Sequence, residues 1–231
     1  PSEILIQSHF HERHLESFER AVRDEMVYPC FCSRKEVVEG LASAPHGPMT
    51  VYTGRCRGLR ADEWPAYDRP TLAWRFKLNP SDPTQDFVVA RTAAPGALAS
   101  WSPREGFAPA YQWACAVDDY DGRYTLLVRA FDLLDSAAQQ RGIQSWLASN
   151  ANAPVRHPAV FHTALIVNDD SSRLEKRTKG VTLAELIARG LTEKTIIEKF
   201  ESTFHIDRYQ FAPGAIFGED RRQMTLSELG F

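Results

Sequence analysis

The chain has 231 residues, 43% of them hydrophobic and 25% charged, enough apolar matter for one full core with room for an insertion and too much for a disordered tail. Its net charge of −3 excludes a uniformly basic nucleic-acid binder, so any such contact has to come from local patches such as Arg55, Arg57 and Arg60, or Arg173, Lys176, Arg177 and Lys179. Four cysteines, no signal-peptide pattern and no apolar run of bilayer length predict a soluble protein of the reducing cytoplasm with free thiols and no membrane partner.

Ser8 stands where it can cap a helix reaching Met26, in which Leu15, Phe18, Val22 and Met26 recur at intervals of three and four. His9, His11 and His14 near its start have no second motif to pair with and read as exposed or hydrogen-bonded histidines. Cys30 and Cys32 follow, one residue apart, and Tyr52-Thr-Gly-Arg-Cys56 adds a third thiol. Two thiolates from one tight turn and a third from a second segment match most of a closed tetrahedral zinc site. The fourth ligand is open between His46 and the phenol of Tyr52, since a bound dication lowers a phenol pKa from its free value of about 10. Reduced cysteines packed as small hydrophobes are the alternative to a metal. Residues 34–41 read as a short helix, and Ala44-Pro-His-Gly-Pro48 as a turn-rich loop that returns Tyr52 and Cys56 to the first two thiols. The span 28–70 therefore reads as a metal-pinned insertion.

Residues 71–77 alternate, with Leu72, Trp74 and Phe76 on one face and Ala73, Arg75 and Lys77 on the other, as in a half-buried strand. Asn79-Pro-Ser-Asp-Pro83 ends it, and residues 92–109 read as a long irregular loop before Tyr111. Residues 124–128 form a short apolar run suited to a buried parallel strand, and 132–147 read as helix. Arg129 then falls at the carboxyl end of a strand, the edge where open α/β sheets bind ligands. An arginine in an apolar stretch needs a partner, either the carboxylate of a ligand or Asp118, Asp119 or Asp132 in an internal ion pair. Residues 159–167 read as a further strand leading into the loop 168–179. Thr182-Leu-Ala-Glu185 is a capping box opening a helix with Leu183, Leu186 and Ile187 apolar, and another helix is expected over 193–200. Cys115, between alanines and with no activating base nearby, reads as core packing. Residues 204–231 carry no legible motif.

The motifs Gln7-Ser8, Tyr28-Pro-Cys30-Phe-Cys32-Ser-Arg, Tyr52-Thr-Gly-Arg-Cys56-Arg-Gly-Leu, Tyr111-Gln-Trp-Ala-Cys-Ala-Val-Asp118-Asp119, Leu127-Val-Arg129-Ala-Phe-Asp132-Leu-Leu-Asp135-Ser and Arg173-Leu-Glu-Lys176-Arg177 have a common likeness. In that order, over residues 4–200, they resemble the glutamyl-queuosine tRNA(Asp) synthetases, a bacterial offshoot of glutamyl-tRNA synthetase without its anticodon-binding domains. The resemblance implies an α/β fold, the Rossmann-type class I synthetase catalytic domain. Residues 1–27 would be a helix of that domain, 28–70 a zinc-binding insertion, 71–203 the remainder and 204–231 a C-terminal segment. It implies ATP-dependent activation of L-glutamate, with Mg²⁺ on the triphosphate, and transfer to the queuosine base at the wobble position of tRNA(Asp).

By the same resemblance Cys30, Cys32, Tyr52 and Cys56 hold a structural zinc, and Tyr111 and Arg129 contact glutamate. Arg173, Leu174, Glu175, Lys176 and Arg177 form the ATP loop, where Lys176 stabilises phosphate charge. On composition alone that loop is a solvated basic segment and Tyr111 a core aromatic. Three departures accompany the likeness. Ala130 replaces the family glycine, and Glu175 replaces a serine, setting a carboxylate beside a triphosphate against Coulomb repulsion. Nothing in the chain matches the family's His-Ile-Gly-His-type ATP motif. The expectation is a piece of a longer protein or a relative that has discarded half the active site. The rival reading is a catalytically silent paralogue that binds tRNA or a protein partner.

Overall fold

The computed structural model describes residues 3–33, 36–37, 52–94, 102–172, 174, 182–202, 205, 210–219 and 222–230. The chain divides into two compact units, residues 1–122 with 139–153, and residues 123–138 with 154–231. The loop 44–48, His46 and most of the helix expected over 34–41 lie outside the described residues.

In the first unit, helix α1 (His11–Arg23) follows a 3₁₀ turn at Gln7–Phe10. Ser8 sits inside that turn and does not cap α1: the residue before the helix is Phe10, which makes no side-chain cap bond. The amide of Gln7 donates to Asp118 at 2.7 Å, which ties the turn down from outside. The buried stripe of α1 is His14, Leu15, Ser17, Phe18 and Ala21. It repeats at the helical interval but ends short of Val22 and Met26, which are only partly buried.

Strands β1 (Val27–Cys30), β2 (Thr71–Phe76), β3 (Phe87–Ala93) and β4 (Ala108–Pro109) form an antiparallel sheet in that order. Pro29 lies on β1, at the sheet edge, where a missing backbone donor is tolerated. Both flanks of the segment 92–109 thus belong to the sheet, through the pairs Ala90 with Pro109 and Arg91 with Ala108. Leu72, Trp74 and Phe76 of β2 are buried as the alternation requires. Arg75 departs from it: the register shifts between Trp74 and Arg75, and Arg75 is only 9% exposed because the ring of Tyr52 covers it.

Helix α2 (Tyr111–Asp121) buries Trp113, Ala114, Ala116 and Val117. Helix α3 (Ser136–Asn150) adds Ile143, Trp146 and Leu147. Aromatic rings dominate the core: Phe18 meets Trp74 edge-on at 5.4 Å and Trp113 at 6.1 Å, and Trp113 meets Trp146 at 5.8 Å. Such pairs add roughly 0.5–1.5 kcal/mol each beyond area burial. The indole N–H groups of these three are satisfied, Trp74 by Thr92, Trp113 by the His14 carbonyl and Trp146 by Asp24. His14 is buried with Nε2 at 2.6 Å from Asp118, so Asp118 serves the first unit. Gly142 lets α3 approach the sheet: a Cβ there would stand 2.2 Å from Leu78 Cδ1.

The second unit is built on parallel strands β5 (Leu126–Ala130), β6 (Ala159–Thr163) and β8 (Ile216–Gly218), ordered β5-β6-β8. A helix was expected over 132–147, but the chain makes a 3₁₀ turn at Phe131–Leu133 before α3 begins at Ser136. The single strand expected over 159–167 is two, because β7 (Leu165–Val167) leaves the main sheet after Ala164 to pair with β9 (Gln223–Thr225). Residues 204–231, silent in sequence, thus supply one strand to each of this unit's two sheets. Phe161, Phe211 and Phe217 pack edge to face at 6.1 and 5.4 Å. The capping box is present: Thr182 and Glu185 exchange hydrogen bonds at the start of α4 (Leu183–Ala188). Of the three apolar residues expected on that helix only Leu186 is buried; Leu183 and Ile187 are exposed. Helix α5 (Glu193–Glu201) follows.

Candidate functional site

The thiols come together because β1 ends at Cys30 and a tight turn carries Cys56 back to it. That turn closes with Arg57 N–H donating to Gly54 O at 2.9 Å. Gly54 has φ of 78° and lies against Pro83, which a Cβ would approach to 2.6 Å, so both the backbone and the space demand glycine. Cys30, Cys32 and Cys56 have sulfurs all within 4.8 Å of one another, with Cys32 and Cys56 at 3.6 Å. Sulfurs around a tetrahedral zinc at Zn–S of about 2.3 Å lie about 3.8 Å apart. All four cysteines of the chain are free. A soft, mostly buried sulfur triad of these dimensions fits a thiophilic metal such as zinc.

Tyr52 is 2% exposed, and its hydroxyl accepts the Cys56 N–H at 2.9 Å. Its phenol is held well above the ordinary range, first by burial and then by the charge at Cys30. The Cys30 thiol is drawn down to about 5 by the hydrogen bond from Cys56 and then by Arg75, while Cys56 is pushed up chiefly by that same bond to Cys30. Burial pushes Cys32 up. Arg75 sits beneath the cluster: Nε donates to Cys30 Sγ at 3.3 Å, Nη1 donates to the Asp86 carbonyl at 2.9 Å, and the guanidinium lies 3.9 Å from the Tyr52 ring centroid.

Asp86 is the second layer. Its carboxylate accepts the Tyr28 hydroxyl at 2.8 Å and Leu78 N–H at 3.2 Å, and faces Arg57 Nε at 3.2 Å. Burial outweighs these donors and pushes the carboxyl up. A groove beside the thiols is lined by Phe31, Cys32, Arg55, Cys56, Tyr67 and Arg69 among others. Phe31 there meets Trp64 and Tyr67 at 5.6 and 5.4 Å.

Arg129 lies one residue from the carboxyl end of β5, opposite His162 of β6. It is partly exposed, on a strand whose Val128 is 47% exposed, so β5 is not the buried strand that its apolar run predicts. Tyr111 opens α2 in the other unit and is 45% exposed, which removes the core-aromatic reading. Of the loop 173–177 only Leu174 is described, partly buried; Arg173, Glu175, Lys176 and Arg177 lie outside the described residues. The turn ahead of that loop is fastened, since Asp169 accepts both the amide and the hydroxyl of Ser227.

Sequence reasoning missed His162. It is fully buried at the same strand edge, with Nδ1 at 3.2 Å from the Ala130 carbonyl and Nε2 enclosed without a hydrogen-bond partner among the described residues. Burial lowers its pKa, which keeps the ring neutral with the proton on Nδ1. The signal was a histidine inside the apolar run Ala159-Val-Phe-His-Thr-Ala-Leu-Ile-Val.

Curated relatives share this sequence over most of its length. The chain is 33% identical over 198 residues to a glutamyl-Q tRNA(Asp) synthetase from Nocardia farcinica, covering 84% of this chain and 61% of that one. It is 33% identical over 199 residues to one from Symbiobacterium thermophilum, covering 83% and 59%, and 32% identical over 189 residues to one from Burkholderia cenocepacia, covering 72% and 55%. The chain thus spans little more than half the length of the curated relatives it matches. Among solved structures, a glutamate tRNA ligase from Elizabethkingia meningosepticum, crystallised with its amino acid, superposes with a TM-score of 0.53 at 16% identity, over 84% of this chain and 44% of that one. Glutamate-tRNA synthetase from Elizabethkingia anophelis follows at 0.50, with the same identity and coverage. These two show the fold alone: a mixed helix and sheet architecture like that of those glutamate-tRNA ligases. No family model matches the chain.

Proposed function

We propose that this chain, a sequence relative of the glutamyl-Q tRNA(Asp) synthetases, carries the greater part of a catalytic domain that activates L-glutamate with ATP and passes it to a tRNA. The observation that carries the reading is the 33% identity extending over 84% of the chain. The acceptor we assign is the queuosine base at the wobble position of tRNA(Asp), on the strength of the relatives' shared name.

In this reading a glutamate carboxylate oxygen bonds to the α-phosphorus of ATP and pyrophosphate leaves. The acyl group then passes to the acceptor and AMP leaves. Positioning and charge stabilisation suffice, with no protein nucleophile. Arg129, with a guanidinium able to grip a carboxylate through two parallel hydrogen bonds, is assigned to glutamate. Lys176 is assigned to the phosphates, with Mg²⁺ travelling on ATP. Zinc bound by the thiol triad, with Tyr52 as the fourth donor, would be structural and pin the segment to the sheet. A second reading, a silent paralogue that binds tRNA without activating glutamate, draws on Glu175 and Ala130.

The test is glutamate-dependent ATP–pyrophosphate exchange by the zinc-replete natural gene product, without and then with tRNA. Exchange supports activation, and discharge onto queuosine-bearing tRNA(Asp) but not its guanosine-bearing form supports the acceptor. Silence in both conditions, with tRNA binding retained, would establish the second reading instead.

A further inference from the structure

Arg75 is a cation buried to 9% exposure with no carboxylate in ion-pair range among the described residues. Asp86 hydrogen-bonds it only through the backbone carbonyl; the Asp86 carboxylate acts on it through space and is itself engaged by Tyr28, Leu78 N–H and Arg57. Arginine is seldom buried without a counter-charge. What surrounds this guanidinium instead is Cys30 Sγ at 3.3 Å and the face of Tyr52 at 3.9 Å. Both are anionic as metal ligands.

The charge count makes the arrangement intelligible. Three thiolates and a phenolate around a dication leave two negative charges inside the protein, an expensive burial unless a cation stands close by. Arg75 is that cation, and its fork aims the Cys30 sulfur by holding it against the fixed Asp86 carbonyl. A ligand oriented and charge-compensated from behind binds its metal more tightly than a bare one.

We propose that Arg75 is a positioning residue of the metal centre, the buried counter-cation that orients Cys30 and Tyr52 toward the metal. The proposal rests on the reading of Cys30, Cys32 and Cys56 as a metal site. Arg75→Met and Arg75→Lys test it in the full chain, by zinc competition against a chromophoric chelator and by the absorption spectrum of the Co²⁺-substituted protein.

The Met variant is expected to bind zinc roughly 10- to 100-fold more weakly. Its sulfur-to-cobalt charge-transfer band is expected at lower energy, because the thiolate has lost a donor. The Lys variant, which keeps the charge but not the fork, should fall between, at least about threefold weaker than wild type. A folded Met variant with zinc affinity within twofold of wild type and an unmoved band overturns the proposal. If the Met variant does not fold, the Lys variant decides, and equality with wild type overturns it. A wild-type chain that binds no zinc overturns the metal centre itself and this proposal with it.

Discussion

Asp86→Ala removes a carboxylate with no solvent exposure, and the size of the effect follows from what it abandons. Arg57, its ion-pair partner, is itself only 15% exposed at the side chain. Tyr28 OH and Leu78 N–H lose their acceptor in the same substitution. Breaking a buried pair by deleting one member costs about 3–5 kcal/mol, because the surviving charge stays buried and uncompensated. Arg57 retains one acceptor, the Asn79 carbonyl at 2.6 Å, which moves the expectation to the lower end, about 3 kcal/mol. At 2–4 °C per kcal/mol for a domain of this size, the melting temperature should fall by roughly 6–12 °C. Burial already pushes the Asp86 carboxyl up, so the intact pair adds little net stability and the penalty lies in orphaning the arginine. The double variant Asp86→Ala with Arg57→Met is therefore expected to be more stable than Asp86→Ala alone. Urea unfolding of the four proteins in the cycle gives the coupling energy. Strict additivity, or a single-variant loss below about 1 kcal/mol, would refute the reasoning, since an orphaned buried charge must cost more than that.

Three further outcomes are expected. Cys32→Ser should purify with little zinc by elemental analysis and melt at lower temperature; unchanged metal content and melting would remove the triad. Arg129→Ala should weaken glutamate binding by roughly 10- to 100-fold, the worth of a charge-assisted bidentate contact, with circular dichroism unchanged; unaltered glutamate affinity would move the pocket elsewhere. His162 has its pKa lowered by burial, so the unfolded chain binds the proton that the folded one refuses. Stability should then be lost as pH falls below the unfolded histidine value of about 6.5, and His162→Phe, which cannot titrate, should flatten that part of the stability profile measured by urea unfolding. An unchanged profile would mean that another group sets the acid limb.

The parts of the molecule legible in its sequence are those whose chemistry is local. Two thiols one residue apart and a third in the segment Tyr52–Cys56 already mark the sulfur cluster that the structure assembles, and the capping box at Thr182 and Glu185 forms between neighbours. The partition of 159–167 into β6 and β7 was not legible, because the break at Ala164 answers to β8 and β9, more than fifty residues away. The two strand arginines make the limit sharper. Alternation assigns Arg75 to the solvent face of β2, and the apolar run around Arg129 assigns that residue to the interior; the structure exchanges the two environments.

Alternation reports only that one face of a strand meets the core, and it cannot report what a distant segment lays over the other face. Tyr52, nineteen positions before β2 in the chain, covers Arg75 and turns an apparently solvated charge into a buried one. The interior is then left with a cation whose neutralisation depends on the state of the thiols beside it. If the thiols hold zinc, that dependence couples the folding of the sheet to metal binding in one direction that can be measured. Zinc should stabilise wild type more than Arg75→Met, because only in wild type do the anionic ligands of the loaded site face a buried cation. Equal stabilisation of the two by saturating zinc, read as a melting-temperature increment, would mean that the arginine is indifferent to the metal.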